Sequence, residues 1–258
     1  MFITEMSNVT AFIIICLFST LFSFLVLKLV QRRADSDKLK QNHEIGAIMF
    51  NAFGLVYAVF VAFMVFAVWN EYQAAEANIE LEVNQLSLLL RNASSLNTDL
   101  RNEIKADLAD YADSVVNHDW ENMAAGKRIT SAMPLGKLWK TVSQIPADSL
   151  KTSQIFSIYY ENLNNLSKYR TLRVIGSKYG LPPILWFVLL FGALISVCYS
   201  FFFNMNKFVT QVIFTSILLS FTLMMLYLIY CFDHPYSGAN KITAGPFIDF
   251  LTMVRNIK

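Results

Sequence analysis

The chain has 258 residues, of which 55% are hydrophobic and only 16% are charged. Soluble domains carry about 25% charged residues, so this composition is typical of a membrane protein and argues against an ordinary soluble domain. The net charge of +2 is small, and no Lys/Arg cluster has the spacing of a nucleic-acid interface. We therefore expect no nucleic-acid partner.

Four stretches are long and apolar enough to cross a bilayer, at residues 9–30, 45–69, 181–203 and 208–232. Each satisfies the need for about 20 mostly apolar residues across a hydrocarbon core about 30 Å thick. The first stretch lacks the basic start and the cleavage site of a signal peptide, so we predict that it is a retained span. Lys28 near its end can extend to the headgroups.

The polar region between the second and third spans has helical patterns throughout. Ile79, Val83, Leu86 and Leu90 draw one apolar stripe, and further helices are predicted at 98–126, 134–146 and from about 148 to 169. No alternating strand pattern occurs. The predicted fold class is an all-α integral membrane protein, with four transmembrane helices and a helical-bundle insert between the second and third.

The predicted organisation has four parts: a first transmembrane helix pair at 9–69, the extramembrane insert at 70–180, a second pair at 181–232 and a C-terminal tail at 233–258. Because no proline occurs between Ile45 and Arg91, the second span is predicted to continue as one helix into the insert. Pro182 and Pro183 mark the return of the chain to the membrane.

Membrane orientation is predicted from the positions of the basic residues. Those of the two short loops are Arg32, Arg33, Lys38, Lys40 and Lys207. The positive-inside rule places these loops in the cytoplasm and the insert outside. A second basic set lies just before the third span and favours the opposite orientation; it comprises Lys168, Arg170, Arg173 and Lys178. An external insert is the favoured alternative.

The second span has a stripe of small residues that includes one amide. The candidates for lining a pore are this stripe and the aromatic residues beside it, namely Asn51, Gly54, Ala58, Ala62, Phe50, Phe53 and Tyr57. A polar group inside a membrane rarely faces lipid, so the stripe is predicted to face protein or water. Close helix packing explains the same spacing and is favoured by spacing alone.

The helix that continues from the second span is acidic. Glu71, Asn78 and Glu82 share a polar face and are candidates for an ion vestibule. A solvated helix face is the simpler interpretation of the same pattern. Arg170 and Arg173, before the third span, are candidate structural partners of these carboxylates.

No set of residues has the spacing of a metal site or of catalytic machinery. Cys16, Cys198 and Cys231 lie in or at the ends of spans and have no ligand spacing. Asp233, His234 and Ser237 occur in a string that reads as a turn, without the context of a nucleophile elbow. We expect no enzyme activity, no metal and no cofactor.

Several segments together resemble the bestrophin-like family of membrane proteins, known from bacteria and plants. The resemblance covers about 46–247 and is carried by the second span with Trp69 and Tyr72, and by HDWENMAAG (118–126). PPILW (182–186) and HPYSG (234–238) complete the ordered set.

The resemblance implies four membrane helices around a helical insert. Bestrophins are oligomeric anion channels whose second membrane helix lines a central pore, with Phe and Ile at the constriction. By this analogy the constriction candidates are Phe50, Phe53 and Tyr57. Two features differ. The chain lacks the calcium-binding and C-terminal regions of animal bestrophins, and bestrophins keep the insert cytosolic.

The leading functional hypothesis is a homo-oligomeric channel of a bacterial inner membrane, gated by aromatic side chains. It would conduct small inorganic ions, with a preference for anions. The alternative is a non-conducting membrane sensor or scaffold whose insert binds a partner. The lipid bilayer is a partner under both hypotheses. The acidic helix is unfavourable for an anion pore if its carboxylates face the axis.

Overall fold

A computed structural model of the protein describes residues 7–33, 43–125, 127, 129, 131–146, 150–178, 180–202 and 207–256. The described part is almost entirely helical and contains no strand. Four of its helices are long and apolar enough to cross a membrane. The predicted all-α class with four membrane helices is therefore confirmed.

The described α-helices are, in chain order, α1 (Asn8–Arg33), α2 (His43–Asn92), α3 (Thr98–Ser114), α4 (Trp120–Ala124), α5 (Ala132–Val142), α6 (Leu150–Gly176), α7 (Pro183–Phe202), α8 (Phe208–Asp233) and α9 (Gly245–Asn256). A 3₁₀ turn, Ala93–Ser95, follows α2, and a π-helical segment, Val115–Asp119, joins α3 to α4.

Helix α2 is continuous over 50 residues, as the lack of proline predicts. Helix α7 begins at Pro183, where proline costs no hydrogen bond because the first N–H of a helix has no partner within it. The Asp233 carboxylate accepts hydrogen bonds from the Leu181 N–H (2.5 Å) and from Trp186 Nε1 (3.0 Å). A carboxylate there also interacts favourably with the positive end of the α7 dipole.

The structure divides into two compact units. The first, called the membrane unit here, comprises described residues of Met1–Asn70, Leu181–Asp233 and Gly238–Asn240. Its most extensive helix contact joins α1 to α8. One of its buried clusters contains Leu27, Val197, Phe201 and Leu219, and another contains Val68, Leu189 and Ile229.

The second unit, called the bundle unit here, comprises described residues of Glu71–Gly180, His234–Ser237 and Lys241–Lys258. One hydrophobic core joins its helices, and Tyr111, Leu138 and Leu163 lie fully buried in it. The chain after the fourth span contributes to this core through α9, whose Phe247 and Phe250 are also buried.

Some helix boundaries in the insert differ from the predicted ones. The helix predicted at 98–126 ends as an α-helix at Ser114 and continues through the π segment; residue 126, its predicted end, lies outside the described residues. Asn97 is the N-cap of α3, because its side chain accepts a hydrogen bond from the Leu100 N–H at 2.9 Å. Pro134 lies within the first turn of α5 and does not precede it.

Candidate functional site

The exposed strip of the second membrane helix consists of Asn51, Leu55, Ala58 and Ala62, all exposed in the single chain. Their spacing of four, three and four residues places them on one face of α2. Gly54 lies beside this strip, and a methyl group added there would meet no neighbouring atom within 4 Å. Asn51, Gly54, Ala58 and Ala62 thus lie on or beside an open face in the membrane-spanning part of α2.

Two of the aromatic candidates, Phe50 and Tyr57, contact α7 within the membrane unit. The Phe50 ring stacks on Tyr199 with ring centroids 5.0 Å apart, and the Phe53 ring is parallel to that of Tyr57 at 6.1 Å. The Tyr57 hydroxyl donates a hydrogen bond to the carbonyl oxygen of Leu189 on α7 at 2.9 Å. The structure therefore divides the predicted set between an open face and a packed face.

Close approach between α2 and α7 depends on two glycines. A Cβ atom on Gly192 would overlap the Tyr57 ring, so this position on α7 accepts no larger residue without movement of that ring. At the other contact, the Tyr199 hydroxyl donates a hydrogen bond to the Gly46 carbonyl oxygen at 2.9 Å. Small residues let helix backbones approach closely in membranes, where the hydrophobic effect does not drive association. These contacts fix which face of α2 remains open.

The vestibule candidates have different environments within the bundle unit. Glu71 is exposed and Asn78 is partly exposed. Glu82 is fully buried, because α2 turns it towards the bundle core rather than towards solvent. Of the three vestibule candidates, only Glu71 therefore presents an exposed carboxylate.

A buried ion-pair network surrounds Glu82. Arg173 on α6, itself fully buried, donates from Nε to Glu82 Oε2 at 2.8 Å and from Nη2 to Glu82 Oε1 at 3.1 Å. Its Nη2 also lies 3.3 Å from Asp119 Oδ2. The Tyr111 hydroxyl donates to Glu82 Oε1 at 2.5 Å. This two-point geometry suits guanidinium and carboxylate, whose planar groups can form parallel bonds.

Arg170 joins the same network through a serine. Its Nε donates to the Ser131 hydroxyl at 2.8 Å, and the Ser131 backbone N–H donates to Asp119 Oδ1 at 3.1 Å. Both predicted arginines therefore contact polar groups of the bundle interior, but only Arg173 contacts a carboxylate of the acidic helix directly.

Aromatic rings enclose the Arg173 guanidinium. Its central carbon lies 5.9 Å from the Trp120 ring centroid and 5.7 Å from that of Phe247. Trp120 Nε1 donates to the Ile242 carbonyl oxygen at 3.1 Å, which ties α4 to the segment before α9. Cations interact favourably with aromatic faces, most strongly when water is excluded.

Burial and charge shift two pKa values in this network. Burial raises the pKa of Tyr111 well above its usual range, and the Glu82 carboxylate raises it further. Burial lowers the pKa of Arg173. The negative charge of Glu82 and the hydrogen bonds between the two side chains raise it by more, so the pKa of Arg173 rises overall. Arg173 therefore stays charged and Tyr111 stays neutral at physiological pH.

Breaking this buried ion-pair network costs more free energy than forming it contributes to stability. The desolvation of buried charges offsets much of their attraction, whereas removal of one partner costs about 3–5 kcal/mol because it leaves an uncompensated buried charge. Its contribution is therefore to specify how α2, the π segment and α6 pack. Among the described residues, no group of three or more His, Cys, Asp or Glu could hold a metal ion.

Sequence reasoning did not identify Asp119 or Tyr111 as members of this network. A signal was present, because Leu108, Tyr111, Val115 and Asp119 follow each other at helical spacing. An acidic residue on such an apolar stripe is predicted to be buried and paired. Glu82 shows the same signal, since it lies between Ile79 and Leu86 on the buried stripe of α2.

The comparison with protein families identifies the chain. The model of the Bestrophin-like domain matches residues 16–247. The chain belongs to the Bestrophin-like family. The matched region includes most of the first membrane helix, all of the other three and the whole insert, so the predicted resemblance is confirmed for most of the chain. A search of the curated proteins found no match.

Solved structures show the same fold. A bacterial bestrophin homologue from Klebsiella pneumoniae, in a variant with one Ile→Thr substitution, is similar with a TM-score of 0.69 and 12% identity. The match covers 95% of this Bestrophin-like chain and 99% of that one. Another structure of the homologue from that organism, solved by Zn-SAD phasing, gives a TM-score of 0.67 at 12% identity over 94% and 95% of the two chains. This Bestrophin-like chain is thus an integral membrane protein with the bestrophin fold.

Proposed function

We propose that this protein is an oligomeric ion channel whose pore is lined by the exposed strip of α2. The observation that carries the proposal is the exposed position of Asn51 on a membrane helix whose Phe50 and Tyr57 contact α7 instead. An amide that faces lipid has no hydrogen-bond partner, so such a group is expected to face protein or water. Membership of the Bestrophin-like family supports the same function, because bestrophins are channels rather than enzymes.

In this proposal the predicted pore set has two roles. Asn51, Gly54, Ala58 and Ala62 lie at the pore wall, where small side chains leave room for hydrated ions. Phe50 and Tyr57 support that wall from behind through their contacts with Tyr199 and Leu189. Phe53 is partly exposed and is the aromatic residue proposed to narrow the pore by excluding water.

The burial of Glu82 supports anion preference. Its charge is compensated by Arg173 and its oxygens are occupied by Arg173 and Tyr111. The acidic helix therefore presents fewer accessible carboxylates than its sequence indicates. Glu71 remains the exposed carboxylate candidate for a vestibule, and Asn78 adds an uncharged polar group.

Cysteine accessibility combined with ion flux tests the proposal. Asn51→Cys and Ala58→Cys would be made in a background without Cys16, Cys198 and Cys231. The matched control is Met49→Cys, which is exposed on the same helix but outside the strip. The purified proteins would be reconstituted in liposomes with separate chloride and potassium gradients.

We expect chloride flux to exceed potassium flux, and a charged, water-soluble thiol reagent to reduce flux at the strip but not at Met49→Cys. Modification of all three positions at equal rates would contradict a pore along this face. A folded oligomer without flux, whose strip cysteines are protected, would favour the sensor or scaffold hypothesis.

A further inference from the structure

The turn that follows the fourth span carries a tyrosine whose hydroxyl is buried in the bundle unit. Tyr236 is only 3% exposed, and its hydroxyl bonds no described residue. Two backbone hydrogen bonds hold the turn: the Ile242 N–H donates to the Pro235 carbonyl oxygen at 2.8 Å, and the Ser237 N–H donates to that of His234 at 3.1 Å. The turn therefore fixes the Tyr236 ring within the hydrophobic core of the bundle.

Trp120 places Tyr236 beside the ion-pair network of Arg173. The Trp120 ring centroid lies 5.9 Å from that of Tyr236 and 5.9 Å from the central carbon of the Arg173 guanidinium. Burial raises the pKa of Tyr236, the positive charge of Arg173 opposes this rise, and the negative charge of Glu82 adds to it. The Tyr236 hydroxyl is therefore close enough to interact with both charges of the network.

The Arg173 guanidinium has one N–H more than its described acceptors use. A guanidinium carries five N–H donors. Those of Nε and Nη2 serve Glu82 and Asp119, and one of the two on Nη1 donates to Met123 Sδ at 3.4 Å. The second N–H of Nη1 has no acceptor among the described residues, although Arg173 is fully buried. Buried polar groups are costly unless they are hydrogen-bonded, so this N–H and the Tyr236 hydroxyl both require a partner.

We propose that one buried water molecule bridges Arg173 and Tyr236. Its oxygen accepts hydrogen bonds from the second N–H of Nη1 and from the Tyr236 hydroxyl, and the water donates to a carboxylate oxygen of Glu82. Buried waters typically make about three such bonds. An ion fits less well, because the carboxylates of Glu82 and Asp119 repel an anion and a cation cannot accept the Arg173 N–H. The bridge does not depend on whether the protein conducts ions.

Two measurements on the purified full-length protein test the bridge. The first compares the unfolding midpoint of the bundle unit, followed through the fluorescence of Trp120 and Trp139, in three variants that each remove one hydroxyl and keep the ring. Tyr236→Phe removes the hydroxyl of the bridge. Tyr159→Phe removes a buried hydroxyl that donates directly to the Leu89 carbonyl oxygen at 3.1 Å, and Tyr160→Phe removes one from a half-exposed side chain. The second measurement is a crystal structure of the wild type and of Tyr236→Phe that resolves ordered water.

We expect Tyr236→Phe and Tyr159→Phe to lower the midpoint by about 3–5 °C each, because each loses one buried hydrogen bond, and Tyr160→Phe to leave it unchanged. The wild-type structure should show a water oxygen about 3 Å from both Arg173 Nη1 and Tyr236 Oη, and this water should lose order in Tyr236→Phe. An unchanged or raised midpoint for Tyr236→Phe would mean that the hydroxyl has no partner and would overturn the bridge. A direct bond from the Tyr236 hydroxyl to a protein atom, with no water between them, would overturn it as well.

Discussion

The membrane unit and the bundle unit bury polar side chains of different kinds. Every buried side chain with a formal charge in the described part of the chain belongs to the bundle unit: Glu82, Asp107, Asp119 and Arg173. The membrane unit buries hydroxyls and one amide instead, namely Ser19, Ser23, Ser196, Ser200, Gln211, Thr215 and Ser216. The two units therefore have different ways to satisfy buried polar atoms.

Three of the five buried serines of the membrane unit, Ser19, Ser196 and Ser200, donate to carbonyl oxygens of their own helices. Ser19 donates to the Ile15 carbonyl oxygen at 2.7 Å, and Ser196 donates to that of Gly192 at 2.9 Å. Such groups need no partner on another helix, and their small size permits close packing. Arg173, in contrast, requires acceptors from α2 and the π segment at once. Packing in the bundle unit thus depends on matched partners, and in the membrane unit on matched shapes.

The largest expected effect on this comparison comes from Arg173→Met. The change leaves Glu82 and Asp119 buried without their cation, so we expect a loss of about 3–5 kcal/mol in the stability of the bundle unit. Tryptophan fluorescence during denaturation would measure it, because Trp120 and Trp139 lie in this unit and Trp69 and Trp186 lie in the other. Variants that keep one pair of tryptophans would separate the two transitions.

Arg170→Met is the matched control for that measurement. Its guanidinium is only partly buried and bonds a serine rather than a carboxylate, so we expect a loss of about 1 kcal/mol. The double variant Arg173→Met/Glu82→Leu should recover part of the loss. Equal effects of the two arginine changes would mean that buried charge does not distinguish the units.

Gly192→Ala should destabilise the membrane unit by steric overlap. The added methyl group would meet the Tyr57 ring, and overpacking of this kind costs about 1–3 kcal/mol. The thermal unfolding midpoint in detergent, followed through Trp69 and Trp186, would measure the loss. Gly54→Ala is the control, since its methyl group meets nothing within 4 Å in the single chain. A Tyr57→Ala change that failed to rescue Gly192→Ala would contradict the proposed contact.

Alkaline pH should affect the bundle unit through Tyr111. Burial and the Glu82 charge raise its pKa in the folded protein above the ordinary value of 10.0. The contribution of this pKa difference to the stability of the folded protein is therefore fully present below pH 10. Above pH 10 the unfolded chain loses this proton first, and stability falls by about 1.4 kcal/mol per pH unit until the folded pKa is reached.

Comparison with Tyr111→Phe isolates this effect. The variant should be less stable at neutral pH, because Glu82 loses a hydrogen-bond donor, yet its stability should fall less steeply above pH 10. Denaturation midpoints at several pH values, with tyrosinate absorbance followed in parallel, would measure both slopes. Parallel slopes for the two proteins would exclude Tyr111 as the source.

The sequence predicts the membrane helices better than it predicts the interior of the insert. Length and apolar composition suffice for four spans, because the bilayer imposes one requirement on every segment. Proline positions also predict the continuity of α2 and the start of α7 at Pro183. These features depend on local sequence alone.

The network around Arg173 depends on residues far apart in the chain, so local patterns could only nominate its members. Glu82 and Arg173 are 91 residues apart, and Asp119 lies between them in sequence. A charged residue on the apolar face of a helix is predicted to be buried, but this pattern does not identify the residue that pairs with it. The open face of α2 was likewise unpredictable, because Asn51 and Phe50 are adjacent in sequence and only packing against α7 separates them.

The π segment Val115–Asp119 changes the directions in which side chains leave the helix axis between α3 and α4. A π turn accommodates about one residue more than an α turn, so every later side chain is rotated by about 100° relative to an uninterrupted α-helix. In a relative with a plain α-helix here, one residue fewer would maintain the same core. An alignment of this chain with such a relative is therefore expected to contain a one-residue gap within 115–119, even at an identity as low as 12%.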